Sequence, residues 1–96
     1  MRRLILFLCS ILPSVFLSAQ SQNVTGVVKA SDGAAVSASV QIKGTTRGIG
    51  TDAQGKYSIQ NVPKDATLVF SSVGYKTLEI AVNGSSVVDA TLERDG

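Results

Sequence analysis

The chain has 96 residues, nine Lys+Arg against seven Asp+Glu, no His, no Trp and one cysteine, Cys9. Without imidazole and with a single thiol, Cys/His zinc sites and Ser-His-Asp or Cys-His nucleophile systems are excluded. The formal charge of +2 rests on Arg2 and Arg3 at the extreme terminus; the remainder is neutral and lacks the basic footprint of a nucleic-acid binder. Met1-Arg2-Arg3 is a basic head, residues 4–17 are almost wholly apolar, and Leu17-Ser18-Ala19 supplies small residues before Gln20. That three-part pattern predicts a secretory signal peptide over 1–19, cleaved after Ala19, ahead of one domain over 20–96 with its core at 24–92. The apolar run, interrupted by Pro13, falls short of the ~20 residues a membrane-spanning helix needs. Arg2-Arg3 lacks the polar flanks of a twin-arginine signal, and Cys9 follows Leu6-Phe7-Leu8 rather than the small residues that precede a lipidated cysteine. Cleavage would remove Cys9, so the mature chain has no disulfide and must rely on one compact core.

Residues 20–96 hold eleven Val, four Ile and seven Thr against three Leu, and turn residues recur every eight to twelve positions. Stiff β-branched side chains at that spacing predict an all-β sandwich or barrel. Seven strands follow in chain order. Residues 24–30 come first, ended by Ser31-Asp32-Gly33. Residues 38–43 place Val40 and Ile42 inward, with Ser39, Gln41 and Lys43 outward. A short third strand, 47–51, carries Gly48 and Gly50 and leads into the turn Asp52-Ala53-Gln54-Gly55. Residues 56–60 turn Tyr57 and Ile59 inward, and a bend is expected at Pro63-Lys64-Asp65. Residues 66–71, with Leu68-Val69-Phe70, read as a central strand. After Gly74, residues 75–82 place Leu78, Ile80 and Val82 inward, and residues 87–93 do the same with Val88, Ala90 and Leu92. Asn83-Gly84 is a strong hairpin signal. A two-residue turn there would set Val88 and Leu92 on the wrong face, so a three-residue loop, Asn83 to Ser85, is expected. It pairs Ile80 with Val88 and Leu78 with Ala90, at the cost of Glu79 opposite Asp89.

Candidate chemistry is sparse. Gly50 to Tyr57 nearly spells the phosphate-binding pattern G-x-x-x-x-G-K-[ST], but Tyr57 stands at the hydroxyl position and a strand, not a helix, follows. Asp32, Asp52, Asp65 and Asp89 raise the question of calcium, yet no D-x-D-x-D-G loop exists and each fits a turn or strand end. Ser71, Ser72, Ser85 and Ser86 have no base to activate them. Tyr57, Phe70 and Tyr75, the only aromatics after residue 19, suit a small core. Asn23 and Asn83 open glycosylation triplets that matter only in a eukaryotic secretory context. No catalytic, cofactor-binding or metal residue is assigned, no cofactor is expected, and no binding residue is identified.

One combination of motifs is specific. Val24-x-Gly26-x-Val28, Gly44-Thr45-Thr46-x-Gly48, Thr51-Asp52-x-x-Gly55-x-Tyr57-Ser58-Ile59, Leu68-Val69-Phe70-Ser71 and Val73-Gly74-Tyr75-Lys76 resemble the carboxypeptidase-regulatory-like domain. They resemble above all the copy at the N-terminus of SusC/RagA-type TonB-dependent outer-membrane receptors. The resemblance covers about residues 24–92 and implies a seven-stranded, transthyretin-like Greek-key β-sandwich in the periplasm. It also implies a plug and barrel as partners, nutrient uptake of glycans or peptides with a lipoprotein, and energy from the TonB system. Ala34-Ala35-Val36-Ser37 stands where the family usually has proline and glycine, and Arg94-Asp95-Gly96 stands where a linker, TonB box and plug are expected. The chain therefore reads as a non-enzymatic front end of such a receptor. The alternatives are a stand-alone secreted binding module and an accessory domain of a metallocarboxypeptidase.

Overall fold

A computed structural model describes residues 21–95; the expected signal peptide, 1–19, lies outside them. The seven strands are β1 (Ser21–Ala30), β2 (Ser39–Ile42), β3 (Gly48–Gly50), β4 (Lys56–Pro63), β5 (Thr67–Ser71), β6 (Leu78–Ala81) and β7 (Ala90–Leu92), with no helix among the described residues. They form two sheets, ordered β4-β1-β7 and β3-β2-β5-β6. Strict alternation makes this a sandwich: Val24 and Val28 of β1, Tyr57 and Ile59 of β4, and Ala90 and Leu92 of β7 are buried on one inner face. Val40, Ile42, Leu68 and Phe70 are buried on the other. The Tyr57 and Phe70 rings meet edge-on across the core, centroids 5.7 Å apart.

The expected strand positions hold for β2 to β5, within a few residues at their ends. β4 runs further than expected, through Pro63, because it follows β1 back to Ser21. The register slips at Gln22↔Val62 and Val24↔Ile59, so Gln60 and Asn61 both oppose Asn23, and Asn61 takes φ 58°. This β-bulge re-aims the strand end, and Pro63 sits on an outer strand where its missing N–H costs no ladder bond. The loop without the family's usual proline and glycine still folds back on β1: Val36 N–H donates to Val28 O at 3.1 Å, and Val36 is buried.

The hairpin between the last two strands does not form. β6 pairs antiparallel with β5 and β7 pairs parallel with β1, so the two lie in different sheets. Asn83 and Gly84 do make a tight reversal, with φ of 51° and 74° and Ser85 N–H donating to Val82 O at 2.9 Å. It turns the chain out of one sheet into the other instead of back along its own strand. The inward faces of both strands are satisfied in this way without any register between them, and the like-charge pair disappears. Glu79 lies opposite Val69 and binds Lys43 Nζ at 2.8 Å, while Asp89 lies in the other sheet. The outer segments are also shorter than expected, since Tyr75 and Val87 make only isolated bridges, to Arg94 and Thr25.

Candidate functional site

The loop that resembles a phosphate cradle is a self-satisfied turn. The Asp52 carboxylate accepts from Gln54 N–H and Lys56 N–H, each at 2.9 Å, and Gly55 N–H donates to Asp52 O at 2.9 Å. The donors a phosphate would need are thus taken by the protein's own carboxylate. Gly55, at φ 79°, gives its carbonyl to Val28 N–H, and a Cβ on it would meet Val28 O at 2.4 Å. Thr51 ties the other side, donating to Val36 O and accepting from Ala38 N–H at 3.0 and 2.9 Å. Asp52 closes the turn and Thr51 stitches it to the sandwich.

Tyr57 continues that stitching into the core. Its hydroxyl donates to Val88 O at 2.6 Å, and burial, with Asp89 nearby, pushes its pKa up to about 12. Val88 O is free to face the tyrosine because Asp89 Oδ1 takes its place as acceptor for Val27 N–H, at 2.9 Å. The carbonyl passes directly over Gly26, where a Cβ would stand 1.8 Å from it. Gly26, Tyr57, Val88 and Asp89 therefore form one packing device that fixes where β7 meets β1.

Of the other residues weighed from sequence, Asp32 accepts from Ala34 N–H at 3.0 Å, and Asp65 lies in the turn closed by Ala66 N–H to Pro63 O at 3.0 Å. Ser72 Oγ donates to Ser37 O and Ser85 Oγ to Val87 O, at 2.7 and 2.8 Å. Among the described residues no three His, Cys, Asp or Glu side chains gather as a metal site. What the molecule presents outward is two seams where the edges of its sheets meet.

Along the first, β3 faces β4 across a groove of about 410 Å³ lined by Thr46, Arg47, Ile49, Ser58 and Gln60. Arg47 crosses it, donating from Nη1 to Asn61 O at 2.9 Å and from Nη2 to Gln60 O. These are the carbonyls of the two residues that oppose Asn23 at the bulge. The second seam, between β6 and β7, holds a cleft of about 250 Å³ lined by Lys76, Thr77, Leu78, Thr91 and Glu93. At its end the last described residues run against the approach to β6. Lys76 N–H donates to Glu93 O at 2.8 Å and Asp95 N–H to Gly74 O at 3.0 Å, and Arg94 lies over the Tyr75 ring, 5.4 Å from its centroid. Neither the Arg47 clamp nor the second seam was visible in sequence, because each depends on which strands become edges.

The family model of the CarboxypepD_reg-like domain matches residues 24–94. TonB-dependent receptor P39 of Formosa agariphila is 40% identical over 80 residues, covering 82% of this chain and 8% of the receptor. TonB-dependent receptor P26 of the same organism is 39% identical over 80 residues, covering 83% and 8%. TonB-dependent receptor P3 is 32% identical over 93 residues, covering 95% and 9%. The chain thus spans less than a tenth of the length of these curated relatives. Among solved structures, a chain of a type II cohesin–X-dockerin complex of Acetivibrio cellulolyticus superposes with TM-score 0.58 at 25% identity, covering 73% of this chain and 52% of that one. A second interface mutant of the same complex gives 0.55 at 27% identity, covering 75% and 51%.

Proposed function

The chain belongs to the CarboxypepD_reg-like domain family, and we propose that it serves as the non-catalytic N-terminal domain of a TonB-dependent outer-membrane receptor for nutrient uptake. The observation that carries this reading is the match of 82% of the chain, at 40% identity, to a TonB-dependent receptor. The geometry supports it from the other side. Thr51, Asp52, Gly55, Tyr57 and Gly26, the motif residues that look most like chemistry, are engaged in holding the fold together. In this reading residues 1–19 export the chain and are removed after Ala19. The domain sits in the periplasm ahead of a plug and barrel, and the TonB system and a nutrient-binding lipoprotein act through the receptor as a whole.

The test is fractionation of the source cells with an antibody raised against residues 21–95. A band of receptor size in the outer membrane, with an N-terminal peptide beginning at Gln20, is the expected result. A product of this chain's own size, found only in soluble fractions, would overturn it.

A further inference from the structure

The two seams of the sandwich are treated differently. On the first, Val28 N–H to Gly55 O fixes the phase of the β1–β4 ladder, so the backbone groups of Lys56, Ser58 and Gln60 face outward. Those of Lys56 are taken by Asp52, Gln60 O is taken by Arg47, and the facing strand β3 is only three residues long. Capped ends, a bulge and a very short strand are the devices by which a sheet edge is closed to further pairing.

On the second seam β6, four residues long, carries no bulge and no cap on its outward backbone groups. Val82 N–H to Ala66 O fixes the phase of the β5–β6 ladder, which turns the N–H and C=O of Leu78 and Ile80 toward β5 and those of Glu79 and Ala81 away from it. Among the described residues no hydrogen bond reaches those four outward backbone groups. Leu78 and Ile80 face the core yet remain half-buried, open along the same edge. The last described residues lie close to this edge: Arg94 pairs antiparallel with Tyr75 and Asp95 N–H donates to Gly74 O, so a following segment turns back over about 13 Å, four extended residues, to reach β6. More than nine-tenths of each receptor relative lies outside the matched segment.

We infer that the segment following this domain in the longer receptor adds as an extended strand to the free edge of β6. It bonds the backbone of Glu79 and Ala81 and covers Leu78 and Ile80 with alternate apolar side chains. The inference rests on the receptor reading above. Backbone bonds supply the affinity of such strand addition and the alternate side chains its register. A segment that turns back after Asp95 pairs within its own chain, at an effective concentration of order millimolar.

Hydrogen exchange read by mass spectrometry tests it, comparing the receptor isolated from outer membranes with this chain alone. Peptides over 78–81 are expected to exchange about tenfold or more slowly in the receptor, while those over 48–50 and 56–60 change by less than about twofold. Ala81→Pro in the receptor removes an N–H that faces the incoming strand and leaves the ladder to β5 intact, a position an edge strand tolerates. It is expected to return the 78–81 rate to that of the chain alone. A receptor whose 78–81 segment exchanges as fast as in the chain alone, or whose protection survives Ala81→Pro, overturns strand addition and leaves the receptor reading standing. Fractionation that yields only a product of this chain's size overturns both.

Discussion

At Gly26 a hydrogen atom is the largest substituent the fold can hold. Replacing it by alanine sets a methyl carbon 1.8 Å from Val88 O, and that oxygen is backbone held from the other side by Tyr57. Gly26→Ala is therefore expected to destabilise the domain by more than Tyr57→Phe. The latter strands a buried carbonyl and should cost about 1–3 kcal/mol. Denaturant midpoints of the two variants check the order, and a Gly26→Ala midpoint close to the parent's would refute the close approach. The same tyrosine sets an alkaline limit. Its pKa rises from 10.0 unfolded to about 12 folded. Between those values the unfolded state has lost a proton that the native state keeps, so stability falls as pH rises. The contribution is fully present below pH 10, and about 2–3 kcal/mol of it is lost as the pH passes 12. Tyr57→Phe should flatten that decline in urea melts taken between pH 9 and 12; an unchanged slope would place the titration elsewhere.

Among the elements, β5 carries the core. It lies between β2 and β6, and its Leu68 and Phe70 are fully buried. Phe70→Ala removes the ring that packs edge-on against Tyr57 and is expected to cost roughly 3–5 kcal/mol, read as a large drop in thermal midpoint. A near-normal melt would mean that β5 does not line the core. This much was legible in sequence, because the alternation of Val40, Ile42, Tyr57, Ile59, Leu68 and Phe70 states which side chains go inside whatever strand they meet. The placing of β6 and β7 in different sheets was not legible. Asn83-Gly84 specifies a reversal over four residues but not which sheet receives the chain afterwards. The inward stripes Leu78-Ile80-Val82 and Val88-Ala90-Leu92 satisfy either arrangement. Non-local bonds decide for β1, among them that from Tyr57 to Val88 O, over a glycine 31 residues back from the tyrosine, and that from Val27 N–H to Asp89. The bulge at Asn61 escaped for a related reason: its φ > 0 is imposed by β1 running on to Ser21, and no local signal marks it. The open edge of β6 becomes visible only once these choices are made.

For the whole molecule, the parallel pairing of β1 with β7, Val28↔Ala90 through Ala30↔Leu92, sets how the domain would behave under tension. The first and last strands run side by side in the same direction, so the chain enters at one end of the sandwich and leaves at the other. A pull on the two ends slides these strands past each other and loads their bonds together, including Val88 N–H to Thr25 O and Ser31 N–H to Leu92 O. A pull applied across the antiparallel β2–β3 hairpin instead peels bonds one after another. Single-molecule stretching through Ser21 and Asp95 is therefore expected to need a clearly higher rupture force than stretching through Ser39 and Gly50, which face each other at the open end of that hairpin. Equal forces would mean that the parallel ladder bears no load. By this geometry a domain tethered at both ends is a link that transmits force with little extension, and the Gly26–Tyr57–Asp89 device is the rivet that keeps its two loaded strands in register.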